Sequence, residues 1–198
     1  NNIESSYMEF HGGLDVHDGD YKLLGDVFFW YGDNFIVIDE GASLYIRGYA
    51  EGTEWRWQPI RTSVLNNGTM TVDGTLYYRW NLKGSGIYNI SSTYGDYISF
   101  LSGKFYMSGS TSGKVIVDNV DVTLASTSSQ SVAFSGSVNT LIIDNPSTVT
   151  FTSAINVKTL FNHNQNGFVL YDNGTGSSFV DYDGDGLKDH EDLFTVVE

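Results

Sequence analysis

A strand–turn–strand unit recurs along this chain, and repetition at a fixed spacing constrains a fold more than any single motif does. The unit reads FIVIDEGASLYI at 35–46, TSVLNNGTMTV at 62–72, KVIVDNVDVTL at 114–124 and TLIIDNPSTVTF at 140–151. Its polar turns fall at Asp39-Glu40, Asn66-Asn67, Asp118-Asn119 and Asp144-Asn145, at spacings of 27, 52 and 26. Reading 52 as twice 26 places a further unit near position 93, inside IYNISSTYGDYISF at 87–100. The same interval reaches Asp172-Asn173-Gly174 after GFVLY, and Gly12-Gly13 before LDV. The expectation is an all-β chain folded as a parallel β-helix, a β-solenoid of about seven coils. An antiparallel β-sandwich or jelly roll is the alternative, since hairpins also produce alternating runs and glycine-rich turns.

Alternation sets the expected core. Val115, Val117, Val120, Val122, Leu124, Leu141, Ile143, Val149 and Phe151 are read as inward. Asp121, Thr123, Thr148, Thr150 and Thr152 are read as outward, because successive side chains of a strand leave opposite faces. The Asp-Asn pairs are expected to stack at one corner, where these residues tolerate left-handed backbone and can bond along the stack. The segment 47–61, RGYAEGTEWRWQPIR, breaks the pattern and reads as a loop or cap.

Composition agrees with this class. Gly 22, Ser 22, Thr 16 and Asn 15 make up 75 of 198 residues, against only 5 Ala, so strong helix formers are scarce. Lys+Arg is 10 and Asp+Glu 24, a net charge of −14, which removes the basic footprint of nucleic-acid binding and of attachment to an anionic membrane. No apolar run is long enough to insert into a membrane, and the N-terminus has no signal pattern, so an exported form would be the mature one. With no cysteine, disulfides, thiol catalysis and thiolate metal sites are all excluded.

The densest chemistry lies in DYDGDGLKDHED, residues 181–192, which holds six of the 24 acids. A turn at Gly186 brings the alternate carboxylates of Asp181, Asp183 and Asp185 to one side. The Leu187 carbonyl is a further ligand, Asp189 binds directly or through water, and Asp192 closes the loop. An all-oxygen, carboxylate-rich shell suits Ca²⁺; zinc and copper prefer nitrogen or sulfur. This DxDGDGLxDxxD stretch resembles the thrombospondin type 3 calcium repeats common in bacterial and archaeal surface proteins. It is also similar to the loops of EF-hands and dockerins. It differs in standing as a single copy and in having no cysteine after it. The resemblance implies an extracellular, calcium-replete setting. The chain accordingly divides into a solenoid, 1–178, and a calcium-binding loop with the C-terminal segment, 179–198.

Three sequons, at Asn67, Asn89 and Asn173, sit at or near expected turns and are consistent with a surface glycoprotein. Trp55 and Trp57 flank Arg56 in the irregular segment, and Trp30 and Trp80 lie elsewhere. Such rings either pack as a cap over the solenoid or stack on sugars. A polysaccharide lyase or hydrolase would need a base near calcium or paired carboxylates, for which Asp118, Asp121 and Asp144 with Lys114 or Lys158 are the candidates. Fold analogy alone supports that enzyme reading, so no catalytic residue is assigned. His11, His17, His163 and His190 form no metal or triad pattern.

The expected function is a calcium-stabilised, non-enzymatic extracellular structural protein, a subunit of a cell-surface layer, sheath or filament. Self-assembly would use terminal strands, Met8–Phe10 at one end and Phe194–Val197 at the other. The alternative is a carbohydrate-binding adhesin or polysaccharide-acting module, with a glycan as partner.

Overall fold

The computed structural model describes residues 1–29, 34–52, 62–95, 97–153, 155–163, 169–172, 177–178 and 194–196. It contains strands and turns and no helix among these residues. The strands run β1 Asn2–Phe10, β2 Gly13–Val16, β3 Asp20–Phe29, β4 Phe35–Ile38, β5 Ser43–Arg47, β6 Ala50–Gly52 and β7 Thr62–Asn66. They continue with β8 Thr69–Tyr78, β9 Trp80–Lys83, β10 Ile87–Tyr94, β11 Ile98–Phe100, β12 Lys104–Met107, β13 Thr111–Ser112 and β14 Val115–Leu124. The rest are β15 Gln130–Val132, β16 Phe134–Ile143, β17 Val149–Phe151, β18 Ile155–Asn162, β19 Val169–Asp172, β20 Ser177–Ser178 and β21 Phe194–Val196.

Every pairing among the described residues is parallel except β19 with β20, so the chain is a β-solenoid, of about 8 turns, and not a sandwich. Its coils have three faces. The first stacks β2, β4, β7, β9, β11 and the leading parts of β14, β16 and β18, ending on β21. The second stacks the start of β1 and β3 with β5, then β8, β10, β12 and the trailing parts of β14, β16 and β18. The third carries the ends of β1 and β3, then β6, the ends of β8 and β10, β13, and finally β15, β17 and β19. Long strands such as β8, β10 and β14 bend through a corner, which explains their register shifts.

The coil is shorter than the turn spacing suggests. Trp80 pairs with Ile98, Ile98 with Val115, and Val115 with Phe134, so one coil takes about 18 residues. The interval between Asn66 and Asp118 therefore spans three coils, not two longer ones. The stretch from Asp118 to Asp144 is one coil plus the length of the second face. Asp118 follows the first face and Asp144 follows the second, so these pairs do not share a corner. The interval from Ile38 to its partner Asn66 is a single long coil, lengthened by the connection between Gly52 and Thr62.

The inward assignments hold in full. Val115, Val117, Val120, Val122, Leu124, Leu141, Ile143, Val149 and Phe151 are all buried, in a continuous core that also takes in Trp80, Tyr88, Phe100 and Phe105. Polar turn residues are drawn in where the corner needs them. The Asn66 amide donates to the Ile87 carbonyl of the next coil and its oxygen accepts from the Gly68 N–H. Asn145 does the same at another corner, donating to the Ser128 carbonyl and the Gln130 side chain and accepting from the Ser147 N–H. Both close an Asx turn and bond along the stack, which offsets the cost of burying an amide. Asn119 keeps the left-handed backbone expected of a turn asparagine, at φ 52°.

Candidate functional site

The calcium ligands Asp181, Asp183, Asp185, Leu187, Asp189 and Asp192 lie outside the described residues, as does the rest of 179–193. The strand after them is described: β21 pairs with β18, Phe194 on Ile155, at about twice the sequence distance that separates neighbouring coils. The loop sequence thus falls within an insertion between two strands of the solenoid, and Phe194–Val196 belongs to the same sheet as the coils. Trp30, Trp55, Trp57 and the sequon at Asn173 also lie outside the described residues.

Trp80 is fully buried, in edge contact with Phe29 and with its Nε1–H donating to the Tyr77 carbonyl, so it belongs to the core. Asp118, Asp121 and Asp144 are not gathered. Asp118 and Asp121 lie on either side of the corner at Asn119, Asp121 accepting from Asn139, while Asp144 stands at the far end of the second face near His163. No group of three His, Cys, Asp or Glu side chains among the described residues is placed to hold a metal.

The concentration of chemistry missed in the sequence is aromatic. In-register stacking puts Glu9, Phe28, Glu51, Tyr77, Tyr94 and Ser112 in one column along the third face. Tyr7 and Tyr49 fill in beside it. Tyr7 is 4.5 Å from Phe28, Phe28 is 5.1 Å from Tyr49, and Tyr49 is 6.1 Å from Tyr77. Tyr77 and Tyr94 then lie ring on ring, 4.6 Å apart and 9° from parallel. Coils repeat at the ~4.8 Å spacing of paired strands, so identical outward positions on adjacent coils bring flat rings into stacking distance.

This ladder stops at a groove of about 360 Å³, lined by Tyr78, Arg79, Tyr94, Gly95, Tyr97 and, on the next coil, Ser112 and Gly113. Tyr94 is 44% exposed and Tyr97 52%, so both rings are accessible in the groove. The Arg79 guanidinium sits over the Tyr97 ring, 5.1 Å from its centroid. That cation–π contact orients both side chains along the rim. Hydrogen bonding with Tyr78 holds the Tyr77 hydroxyl above the ordinary phenol range, with desolvation adding to it.

The backbone under the groove is unusual. Tyr78 and Tyr97 both adopt left-handed conformations, at φ 63° and 69°, which bulky residues rarely accept. Such strain costs about 1–3 kcal/mol per residue and clusters at functional sites. Gly95 and Gly113 have positive φ as well, 89° and 94°, and here glycine is needed for space too. A Cβ on Gly95 would come within 2.7 Å of the Tyr78 ring, and one on Gly113 within 2.5 Å of the Gly95 carbonyl. Bare backbone therefore floors the groove, and rings form its walls.

One sequence signal bears on this site: TLYYRW at 75–80 and STYGDYI at 92–98 repeat a tyrosine pattern at the true coil length. Two described residues at this corner, Gly52 and Thr62, bound the stretch 53–61, which itself lies outside the described residues. Gly52, before it, pairs with Tyr78, and Thr62, after it, pairs with Trp80 and donates its N–H to the Arg79 carbonyl. No known protein family matches the chain, and no curated protein or solved structure is significantly similar to it.

Proposed function

We propose that this solenoid is an extracellular, non-enzymatic carbohydrate-binding module that takes its glycan in the aromatic groove at the end of the tyrosine ladder. The observation that carries this reading is the pairing of accessible tyrosine rings with bare backbone and hydroxyls in one open groove. Sugars have an apolar C–H face and a rim of hydroxyls, and a site for them needs both a flat ring and hydrogen-bonding groups. A glycan array read with wild-type protein and with Tyr97→Ala tests it. Retention of particular glycans by wild type and their loss in the variant is expected. Binding of no glycan overturns it, and cleavage of a retained glycan would move the reading to an enzyme.

In the same proposal the loop 181–192 binds Ca²⁺ and ties β21 to the stack. Support comes from the oxygen-only donor set and from its place directly before a strand that pairs with β18.

A second reading, assembly into a surface filament, draws support from the one-sided pairing of β1 with β3 and of β21 with β18 among the described residues. Unpaired strand edges template further strands. Light scattering of concentrated protein in excess calcium separates the readings, since growth of long particles favours the filament and a constant mass counts against it.

A further inference from the structure

The aromatic ladder ends abruptly, and the way it ends defines what the groove accepts. Tyr77 covers one face of the Tyr94 ring, and Tyr78 stands steeply tilted to both, meeting them edge-on. On the next coil the residue paired with Tyr94 is Ser112, where the column calls for another ring. Ser112 and its neighbour Gly113 are both exposed and carry almost no bulk, so the second face of Tyr94 looks onto the groove. Further along the same face, the outward positions of β15 and β17 are Ser131 and Thr150, paired with each other, and the residues that follow the two strands are Ala133 and Thr152. The third face thus changes from rings to small side chains and hydroxyls at the Tyr94–Ser112 step.

We infer that the groove is a subsite for one neutral pyranose ring, which stacks on the open face of Tyr94 as the missing rung of the ladder above Ser112. This inference rests on the glycan-binding reading and adds the ligand class and the direction of the chain. A pyranose whose ring hydrogens project from one face gives Tyr94 the flat apolar partner that Tyr77 gives it on the other side. The ring's equatorial hydroxyls then meet the Ser112 hydroxyl and the phenols of Tyr78 and Tyr97. Succeeding sugars run parallel to the solenoid axis, past Ser131 and Thr150, whose hydroxyls suit sugar rims and leave no bulk in the way. The charge of the chain selects within the class. At −14, the chain as a whole disfavours polyanionic glycans such as uronate polymers at long range, with Arg79 the one charged side chain among the described residues lining the groove, and the proposed ligand is a neutral polysaccharide.

The test fills the rung. Ser112→Tyr places a third ring in register with Tyr77 and Tyr94, and Tyr94→Leu removes the flat face while keeping apolar bulk. Binding of a neutral β-linked glucose hexamer and of an oligogalacturonate of equal length is measured by calorimetry, with melting temperatures alongside. Expected are binding of the neutral hexamer and not of the uronate, and about tenfold or greater loss of affinity in both variants. Ser112→Tyr should melt no lower than wild type, because it extends a stacking column. Unchanged affinity in either variant overturns the inference while leaving glycan binding elsewhere on the protein intact. Preference for the uronate overturns the ligand class. Failure of wild type to bind any glycan on the array sinks the functional reading itself, and this inference with it.

Discussion

Tyr77 and Tyr94 lie face to face at 4.6 Å, paired in register across adjacent coils of a parallel stack. Their contact exists only because the chain returns to the same face one turn later. It is a property of the repeat as much as of the two side chains. Parallel, in-register stacking turns a chemical coincidence in sequence into a column in space, and the same rule organises the core beneath it.

Trp80 anchors that corner from inside. It is fully buried against Phe29, and its indole N–H is satisfied by the Tyr77 carbonyl at 2.9 Å. Trp80→Ala is expected to cost about 3–5 kcal/mol in denaturant unfolding, the range for deleting a large buried aromatic. Trp80→Phe should retain most of the packing and lose the hydrogen bond. If the alanine variant unfolds at the wild-type denaturant midpoint, the side chain does not belong to the core.

The Asn145–Gln130 pair is a buried amide network. Asn145 donates to Gln130 at 2.7 Å, and Gln130 donates to the carbonyls of Met107 and Gly109 at 3.1 and 2.8 Å. Asn145→Ala strands the Gln130 oxygen, at a cost of about 1–3 kcal/mol. Asn145→Ala and Gln130→Ala should be strongly non-additive in a double-mutant cycle, because each removes the other's partner. Additive losses would show that the two amides act independently.

A histidine gives the fold a pH dependence with a defined sign. His17 Nδ1 lies 2.8 Å from the Asp39 carboxylate on the next coil, and that hydrogen bond, with the charge on Asp39, raises its pKa above the ordinary 6.5. Asp15 and Asp18 add to the shift more weakly. Because the folded-state value is raised, the stabilisation is fully present below about pH 6.5 and is lost as pH rises through the higher folded value. NMR titration of His17 should give a midpoint above 6.5 in wild type, falling in Asp39→Asn. A midpoint that ignores the substitution would remove Asp39 as the cause.

Calcium should act at one end of the stack. Chelation with excess EDTA is expected to lower the melting temperature and speed amide exchange in Phe194–Val196, while β9 and β11 stay protected. Asp181→Ala with Asp183→Ala should reproduce the effect without chelator. Equal exchange at β21 with and without the metal would uncouple the loop from the fold.

Local alternation identifies the core of β14, β16 and β17, since inward and outward positions follow from a period of two and need no tertiary information. Composition and polar turns likewise point to an all-β chain, and the recurrence of the unit favours a parallel solenoid, but hairpins of a sandwich give the same local pattern, so only the parallel pairing between coils decides between them. The calcium-loop pattern is also a local signal, carried by adjacent carboxylates. Coil length was not legible from the polar turns, because corners accept Asn66, Gly84 and Ser102 alike, and so the turn residues that stand out in sequence mark different corners of different coils, while the tyrosine repeat at the true length spans only one pair of coils. Only stacking decides which residues become neighbours. That is why the Tyr77–Tyr94 ladder, its end at Ser112 and the left-handed tyrosines flanking the groove belong to the tertiary structure. They depend on a register set by backbone hydrogen bonds between coils, and no window along a single coil contains it.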